Sequence, residues 1–234
     1  PGADNETALV VAVKVAPDML ARDIQPSRLE RATEKIHDLL RRRPGTKTAL
    51  IAYSGSAHLA LPLTVDPRII DFFSQALSPA VMPRPGDAPA AALALGASLL
   101  RQAAIPGAIL LVTDYISAGQ LAALRAFREK STVAVHIYVF AADRGVALAA
   151  ASPAAPPLDR RSLRRAAAAL GASLTVVSPD DRDVRRLAGR LEKSLAAARR
   201  QRGGRWRDEG CWLLPLLLVP GILFFRRGWV VVYE

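Results

Sequence analysis

Ala8-Leu9-Val10-Val11-Ala12-Val13 is an unbroken apolar run, followed by Lys14 and the turn-forming Ala16-Pro17-Asp18. A strand with one face in water alternates apolar and polar residues. A run that is apolar at every position needs cover on both faces, as in the parallel sheet of an α/β fold. Thr48-Ala49-Leu50-Ile51-Ala52-Tyr53 and Ala108-Ile109-Leu110-Leu111-Val112-Thr113 repeat the pattern. Thr132 to Phe140, rich in β-branched and aromatic residues, reads as a fourth strand, and Leu174-Thr175-Val176-Val177 as the last. Ala57 to Leu63 fits a short edge strand.

Helical periodicity fills the intervals. After Pro26, Leu29, Ala32, Ile36, Leu39 and Leu40 recur at one-face spacing until Pro44-Gly45 stops the helix. Arg68 to Leu77, Ala88 to Ala104, Gln120 to Lys130, Ser162 to Leu170 and Asp180 to Gln201 continue the series. Residues 141–158 are rich in Ala and Pro and read as a loop. The alternation predicts a doubly wound, mostly parallel sheet flanked by helices. The chain opens at Pro1 with neither an initiator methionine nor a signal-peptide pattern, and is read as a trimmed or internal start.

Charge is unevenly placed. The chain carries +11, but residues 159–234 hold 16 Lys+Arg against 8 Asp+Glu, a net of +8, which leaves +3 for residues 1–158. Within 182–207 stand ten basic residues and two acidic ones, Asp183 and Glu192. Such a cluster expects an anionic neighbour, nucleic acid or lipid headgroups. The residues after it favour lipid: from Cys211 to Phe225 there is no charge, with Arg205 and Arg207 before and Arg226, Arg227 and Trp229 after. That stretch is shorter than the roughly 20 residues of an upright spanning helix, but arginines that snorkel and flanking tryptophans extend it. Pro215 and Pro220 argue against a buried helix in a soluble core. The expected division is a domain over 7–200, a basic juxtamembrane linker over 201–210, a transmembrane segment over 211–226 and a short tail over 227–234. Arg226 and Arg227 suggest a cytoplasmic tail and an extracytoplasmic domain, whereas the basic run before the segment argues the other way.

Ligands of open α/β sheets bind beyond the carboxyl ends of the strands. The loops there read Lys14-Val15-Ala16-Pro17-Asp18, Gly86-Asp87-Ala88 and Thr113-Asp114-Tyr115. This arrangement resembles the von Willebrand factor A fold. A closer resemblance, to the bacterial Bat (aerotolerance) family, runs through Asp23-Ile24-Gln25-Pro26-Ser27-Arg28-Leu29, Ala52-Tyr53-Ser54-Gly55-Ser56-Ala57 and Leu61-Pro62-Leu63-Thr64-Val65-Asp66. It continues through Met82-Pro83-Arg84-Pro85-Gly86, Trp206-Arg207-Asp208-Glu209-Gly210-Cys211-Trp212 and Phe225-Arg226-Arg227-Gly228-Trp229.

The resemblance implies a metal-ion-dependent adhesion site built from Asp-x-Ser-x-Ser, a threonine and a later aspartate. Here Lys14 stands for the first aspartate, Ala16 and Asp18 for the two serines and Asp87 for the threonine; Asp114 alone is retained. Placing Lys14 beside a divalent ion is repulsive, so the expectation is a site without metal. Lys14 would lie among Asp18, Asp87 and Asp114 with its ammonium standing in for the ion. The opposed readings are a Mg²⁺ or Ca²⁺ still held by the three carboxylates with Lys14 turned away, and loop charges that are simply solvated.

Other candidates are weaker. His136, inside an apolar strand, reads as a satisfied core histidine, and His37 and His58 as surface residues. Ser54-Gly55-Ser56 reads as a turn, because no partner base is marked. No Gly-x-Gly-x-x-Gly and no Walker loop is present, which counts against a nucleotide-dependent enzyme. The single cysteine excludes an internal disulfide. The resemblance therefore implies a non-enzymatic, inner-membrane adaptor or scaffold. Its implied partners are a MoxR-type AAA+ ATPase and other Bat-family proteins, in a system of envelope integrity and stress tolerance, with anionic lipids beside the basic segment. The rivals are a hydrolase using Asp114 and Asp87, and a nucleic-acid-binding module, which lacks aromatics interleaved with its arginines.

Overall fold

Strands that are apolar on both faces must be sandwiched, and the computed structural model, which describes residues 6–143 and 152–203, places them so. The order is β1 (Ala8–Lys14), α1 (Arg28–Arg41), β2 (Lys47–Tyr53), β3 (Ala57–Thr64), α2 (Pro67–Gln75) and α3 (Pro89–Ala103). It continues with β4 (Gly107–Thr113), α4 (Leu121–Lys130), β5 (Ala134–Val139), α5 (Arg160–Leu170), β6 (Ser173–Val176) and α6 (Arg182–Gly203). The sheet runs β3-β2-β1-β4-β5-β6, with β3 antiparallel on β2 and every other pair parallel. The predicted doubly wound sheet and its edge strand are therefore present.

Side chains alternate across the sheet. Val10 and Ala12 of β1 join Ile109, Leu111, Ile137 and Leu93 under α3, α4 and α5. Leu9, Val11 and Val13 join Leu110, Val112, Leu39 and Leu187 under α1 and α6. All seven residues of β1 and all seven of β4 are buried, which is what their unbroken apolar runs require. Helix α6 covers the second face with Val184, Leu187, Leu191 and Leu195, spaced three or four residues apart, leaves Arg182, Arg185 and Arg186 exposed, and turns Arg190 onto the Leu174 carbonyl of β6 at 2.8 Å.

Boundaries differ from the sequence reading by one or two residues. Helix α1 begins at Arg28, not at Pro26, because the Ser27 hydroxyl accepts the Glu30 backbone N–H at 3.1 Å and caps it. Three short 3-10 turns, at Pro17–Leu20, Pro79–Val81 and Ala118–Gln120, have no counterpart in the sequence reading; turns this short leave little periodic signal. Among the described residues no helix is long and apolar enough to cross a membrane. The expected transmembrane segment at 211–226 and its tail lie outside the described residues.

Candidate functional site at the strand ends

Strands β1 and β4 are adjacent, and the chain leaves them in opposite directions: from β1 to α1 on one face, from β4 to α4 on the other. This reversal of strand order opens a crevice beyond their carboxyl ends. Lys14 closes β1, and Asp114 comes directly after β4. Pro17 starts the 3-10 turn that carries Asp18, and the turn is closed by Met19 N–H donating to the Ala16 carbonyl.

The Lys14 ammonium donates to Asp18 Oδ2 and to Asp114 Oδ1, each at 2.7 Å. The Lys14 side chain is 3% exposed and that of Asp114 is 0% exposed, while Asp18 keeps 24%. The second oxygen of Asp114 is also taken: Arg28 Nη1 donates to it at 2.9 Å. Arg28, itself buried, clasps Asp23 with two further bonds of 2.8 and 2.6 Å and donates to the Pro156 carbonyl at 2.9 Å. Asp23 in turn accepts the Ala142 backbone N–H at 3.1 Å. A chain of alternating charges, Asp18–Lys14–Asp114–Arg28–Asp23, thus fills the crevice.

Each charge depends on its neighbours. Burial works to lower the Lys14 pKa, but Asp114 and Asp18 outweigh it and the net shift is upward. Burial likewise opposes Arg28, and Asp23 and Asp114 hold it above its ordinary value. Burial raises Asp23, whose bonds from Arg28 more than reverse the effect, so its carboxyl sits below the usual range. Burial pushes the Asp114 carboxyl up, and Lys14 and Arg28 oppose that push. With both oxygens bonded to cations, Asp114 stands as a carboxylate at neutral pH.

Two expectations need correction. Asp87 is not part of the ion-pair chain, since no salt bridge joins it to Lys14 among the described residues. Nor is it a solvated loop charge: both of its carboxylate oxygens are buried without a well-aligned hydrogen bond. Burial raises its pKa, with Lys14 and the facing Ser117 N–H pulling the other way. The loop that carries it is pinned to the β2–β3 turn, where Ser54 Oγ donates to the Arg84 carbonyl, as does the Gly55 N–H. Ala88 N–H donates back to the Ser54 carbonyl. Arg28, which is not among the sequence candidates, also belongs to the site although the strand-end loops do not contain it. Its only sequence signal is the Asp23-to-Arg28 stretch, whose spacing places a basic residue in the first turn of α1.

The remaining candidates fall outside the crevice. Ala16 is buried and offers no side-chain donor. His136 bonds Ser173 Oγ at 2.7 Å and Ser194 Oγ at 3.0 Å, the satisfied core histidine expected. His37 pairs with Asp71 at 2.6 Å. Ser56 Oγ does meet a base, His58 Nε2 at 2.8 Å, a partner that the turn reading of Ser54-Gly55-Ser56 does not include. The pair is exposed on the edge strand, and among the described residues no carboxylate orients the imidazole. Asp114 is buried with each oxygen bonded to a cation, an environment that holds it as a carboxylate.

Residues 9–120 match the von Willebrand factor type A domain family. Among solved structures, the chain is similar to the conserved hypothetical protein BatB from Bacteroides thetaiotaomicron, with TM-score 0.67 and 22% identity over 82% of this chain and 100% of that one. An aerotolerance-related membrane protein from Bacteroides fragilis gives TM-score 0.64 and 22% identity, again over 82% and 100%. A von Willebrand factor type A protein from Catenulispora acidiphila gives 0.57 and 16%, over 81% of this chain and 43% of that one. No curated protein matches the chain.

Proposed function

We propose, from the premise that this chain carries a von Willebrand factor type A domain with the fold of Bat proteins, that it is a non-catalytic, membrane-anchored adaptor whose strand-end site binds partners without a metal ion. The observation that carries this reading is the Lys14 ammonium, 2.7 Å from both Asp18 and Asp114. A divalent ion needs oxygen donors and tolerates no cation at bonding distance. Here the space between the two carboxylates holds a charge of the ion's own sign, and Arg28 takes the oxygen that Lys14 leaves. Lys14, Ala16, Asp18, Asp87 and Asp114 therefore do not fit Mg²⁺ or Ca²⁺. A fixed ion-pair network at the mouth of a crevice presents oriented charges at no reorganisation cost, which suits specific recognition of a protein surface.

Anchoring is assigned to 211–226, with 201–210 as the basic linker. The similarity to an aerotolerance-related membrane protein supports that assignment. The arginines of α6 and the linker then face anionic headgroups, at about 1 kcal/mol for each basic residue near the surface. The bacterial inner membrane is the expected site, with the domain on its outer side. The partners implied are a MoxR-type AAA+ ATPase and further Bat-like proteins. Crosslinked pull-down of the full-length protein from membranes tests the reading. The same partners should be recovered in EDTA and in Mg²⁺, and Asp18→Lys should deplete them. Partners released by EDTA would overturn metal independence, and a pull-down unaffected by Asp18→Lys would move the binding surface elsewhere.

A further inference from the structure

We propose that the groove between α1 and α2 is a docking site for a basic amphipathic helix of a partner protein. The groove encloses about 790 Å³. Its floor includes Leu20, Leu29 and Leu77, and Leu20 is 39% exposed, an apolar side chain left open to water. Its walls are of one sign: Glu30, Glu34, Asp38 and Asp71 line it, and no lysine or arginine does. In a chain of net charge +11 that is a local reversal.

Glu30, Glu34 and Asp38 succeed one another at four-residue intervals along α1, one acidic stripe with a step of about 6 Å. Glu34 is offset by Arg31 at 2.8 Å, and Asp71 is hydrogen-bonded to His37 at 2.6 Å. The carboxylates of Glu30 and Asp38, at either end of the stripe, make no hydrogen bond or ion pair among the described residues. An occupant that satisfies them must carry cations at helical spacing and leucine-like side chains between them, which is the helix-in-groove mode of recognition. The sign excludes a phosphate backbone or an anionic bilayer. A second copy's basic α6 is a poor fit, because its apolar stripe of Val184, Leu187, Leu191 and Leu195 already covers its own sheet. The groove also adjoins the strand-end site: Leu20 ends the turn that bears Asp18, and Ser27, another lining residue, directly precedes Arg28. The proposal rests on the adaptor reading in taking the occupant to be a protein, and it extends that protein's footprint from the crevice along α1.

The test uses the full chain in non-ionic micelles with Gln75, on the groove wall, replaced by photoreactive p-benzoylphenylalanine (Gln75→p-benzoylphenylalanine). The probe is a leucine/lysine peptide of about six amphipathic turns, with a leucine/glutamate peptide of the same pattern as control. Irradiation should give an adduct with the basic peptide about tenfold stronger than with the acidic one. Glu30→Lys/Asp38→Lys should abolish it, and Asp18→Asn, which alters the crevice only, should not. Equal labelling by both peptides overturns the proposal, as does an adduct indifferent to the charge reversal. A chain-to-chain adduct would make a second copy the occupant, and an internal adduct mapping to residues 204–234 would make it the chain's own tail; either overturns a partner helix. Loss of the adduct in Asp18→Asn with retention in the double variant would assign the peptide to the crevice, also against the proposal. The adaptor reading is judged separately by the membrane pull-down.

Discussion

Lys14 is the residue on which the site turns, because its ammonium lies 2.7 Å from both Asp18 and Asp114. Its side chain is 3% exposed and its partner Asp114 is 0% exposed, so removing it leaves a buried carboxylate with Arg28 alone. Breaking one partner out of a buried ion pair costs about 3–5 kcal/mol, and Lys14→Met should lose about 3 kcal/mol at pH 7 in a denaturant titration. The pH dependence has a definite sign. Lys14 pulls down the pKa of Asp114 and of Asp87, so without it both carboxyls rise further above 3.8. An acid whose folded pKa is raised takes up a proton on folding between its unfolded and folded pKa values, and its penalty is relieved as pH falls through the folded value towards the unfolded one. The deficit of Lys14→Met should therefore shrink between pH 7 and 4. It should also shrink in strong alkali, since the Lys14 contribution is complete below 10.5 and is lost as pH rises through its raised folded value. A variant as stable as the wild type at pH 7 would mean that the ammonium contributes nothing to the fold.

At the scale of elements, the two loops that frame the crevice are held by backbone contact, and Gly55 is what permits it. A Cβ there would collide with the Pro85 carbonyl, and Gly86 opposite it has φ +136, a conformation reserved for glycine. Gly55→Ala should destabilise by about 2 kcal/mol or more, because backbone is what must yield; a thermal melt checks it, and an unchanged melting temperature would show the loops are free to separate. On the other side of the sheet, His136 ties β5 to β6 and α6. Burial, with Arg190 and Arg43 adding to it, lowers its pKa from 6.5 to about 4. The unfolded chain then binds the proton that the fold refuses, so stability falls as pH drops from 6.5 to 4, by on the order of 3 kcal/mol. His136→Gln should flatten that slope, and an identical acid slope in the variant would place it elsewhere. Legibility in the sequence varies among these elements for physical reasons. Strands β1, β2 and β4 are plain because double-sided burial writes itself as unbroken apolar residues. The start of α1 lies two residues later than Pro26 suggests, because the Ser27 cap outranks the proline. Arg28 is illegible for a different reason: a basic residue in a first turn ordinarily reads as solvated, and Asp114 lies 86 positions away, a pairing made only when β4 inserts beside β1. Asp87 is misplaced likewise, since its neighbours in the chain locate the loop but not the burial of its oxygens.

For the whole molecule, the question is whether the chain's two chemistries, a charge-lined α/β domain and an uncharged apolar run, are physically separable. Among the described residues, both hydrophobic layers draw their buried residues from positions 8 to 195. Polar links tie α6 to the rest along its length: Asp183 receives Lys35 at 3.1 Å and Tyr138 at 2.6 Å, Arg190 donates to the Leu174 carbonyl at 2.8 Å, and Ser194 bonds His136 at 3.0 Å. Cys211 to Phe225 lie outside the described residues. If that stretch is the anchor, deleting residues 211–234 should shift the protein from the carbonate-washed membrane pellet to the soluble fraction while leaving the unfolding free energy of the domain within about 0.5 kcal/mol of the intact protein, as for surface changes remote from a core. The basic residues of 182–207 remain in the truncated form, so weak binding to anionic vesicles should persist and vanish at high salt, because it is screened over about 10 Å at 0.1 M ionic strength. Two results separate the possibilities. A truncated protein that stays in the washed pellet would transfer the anchor to another part of the chain. One that leaves the pellet but unfolds would mean that the apolar run packs on the domain instead of entering lipid, and the adaptor would then be tethered by its partners and not by a segment of its own.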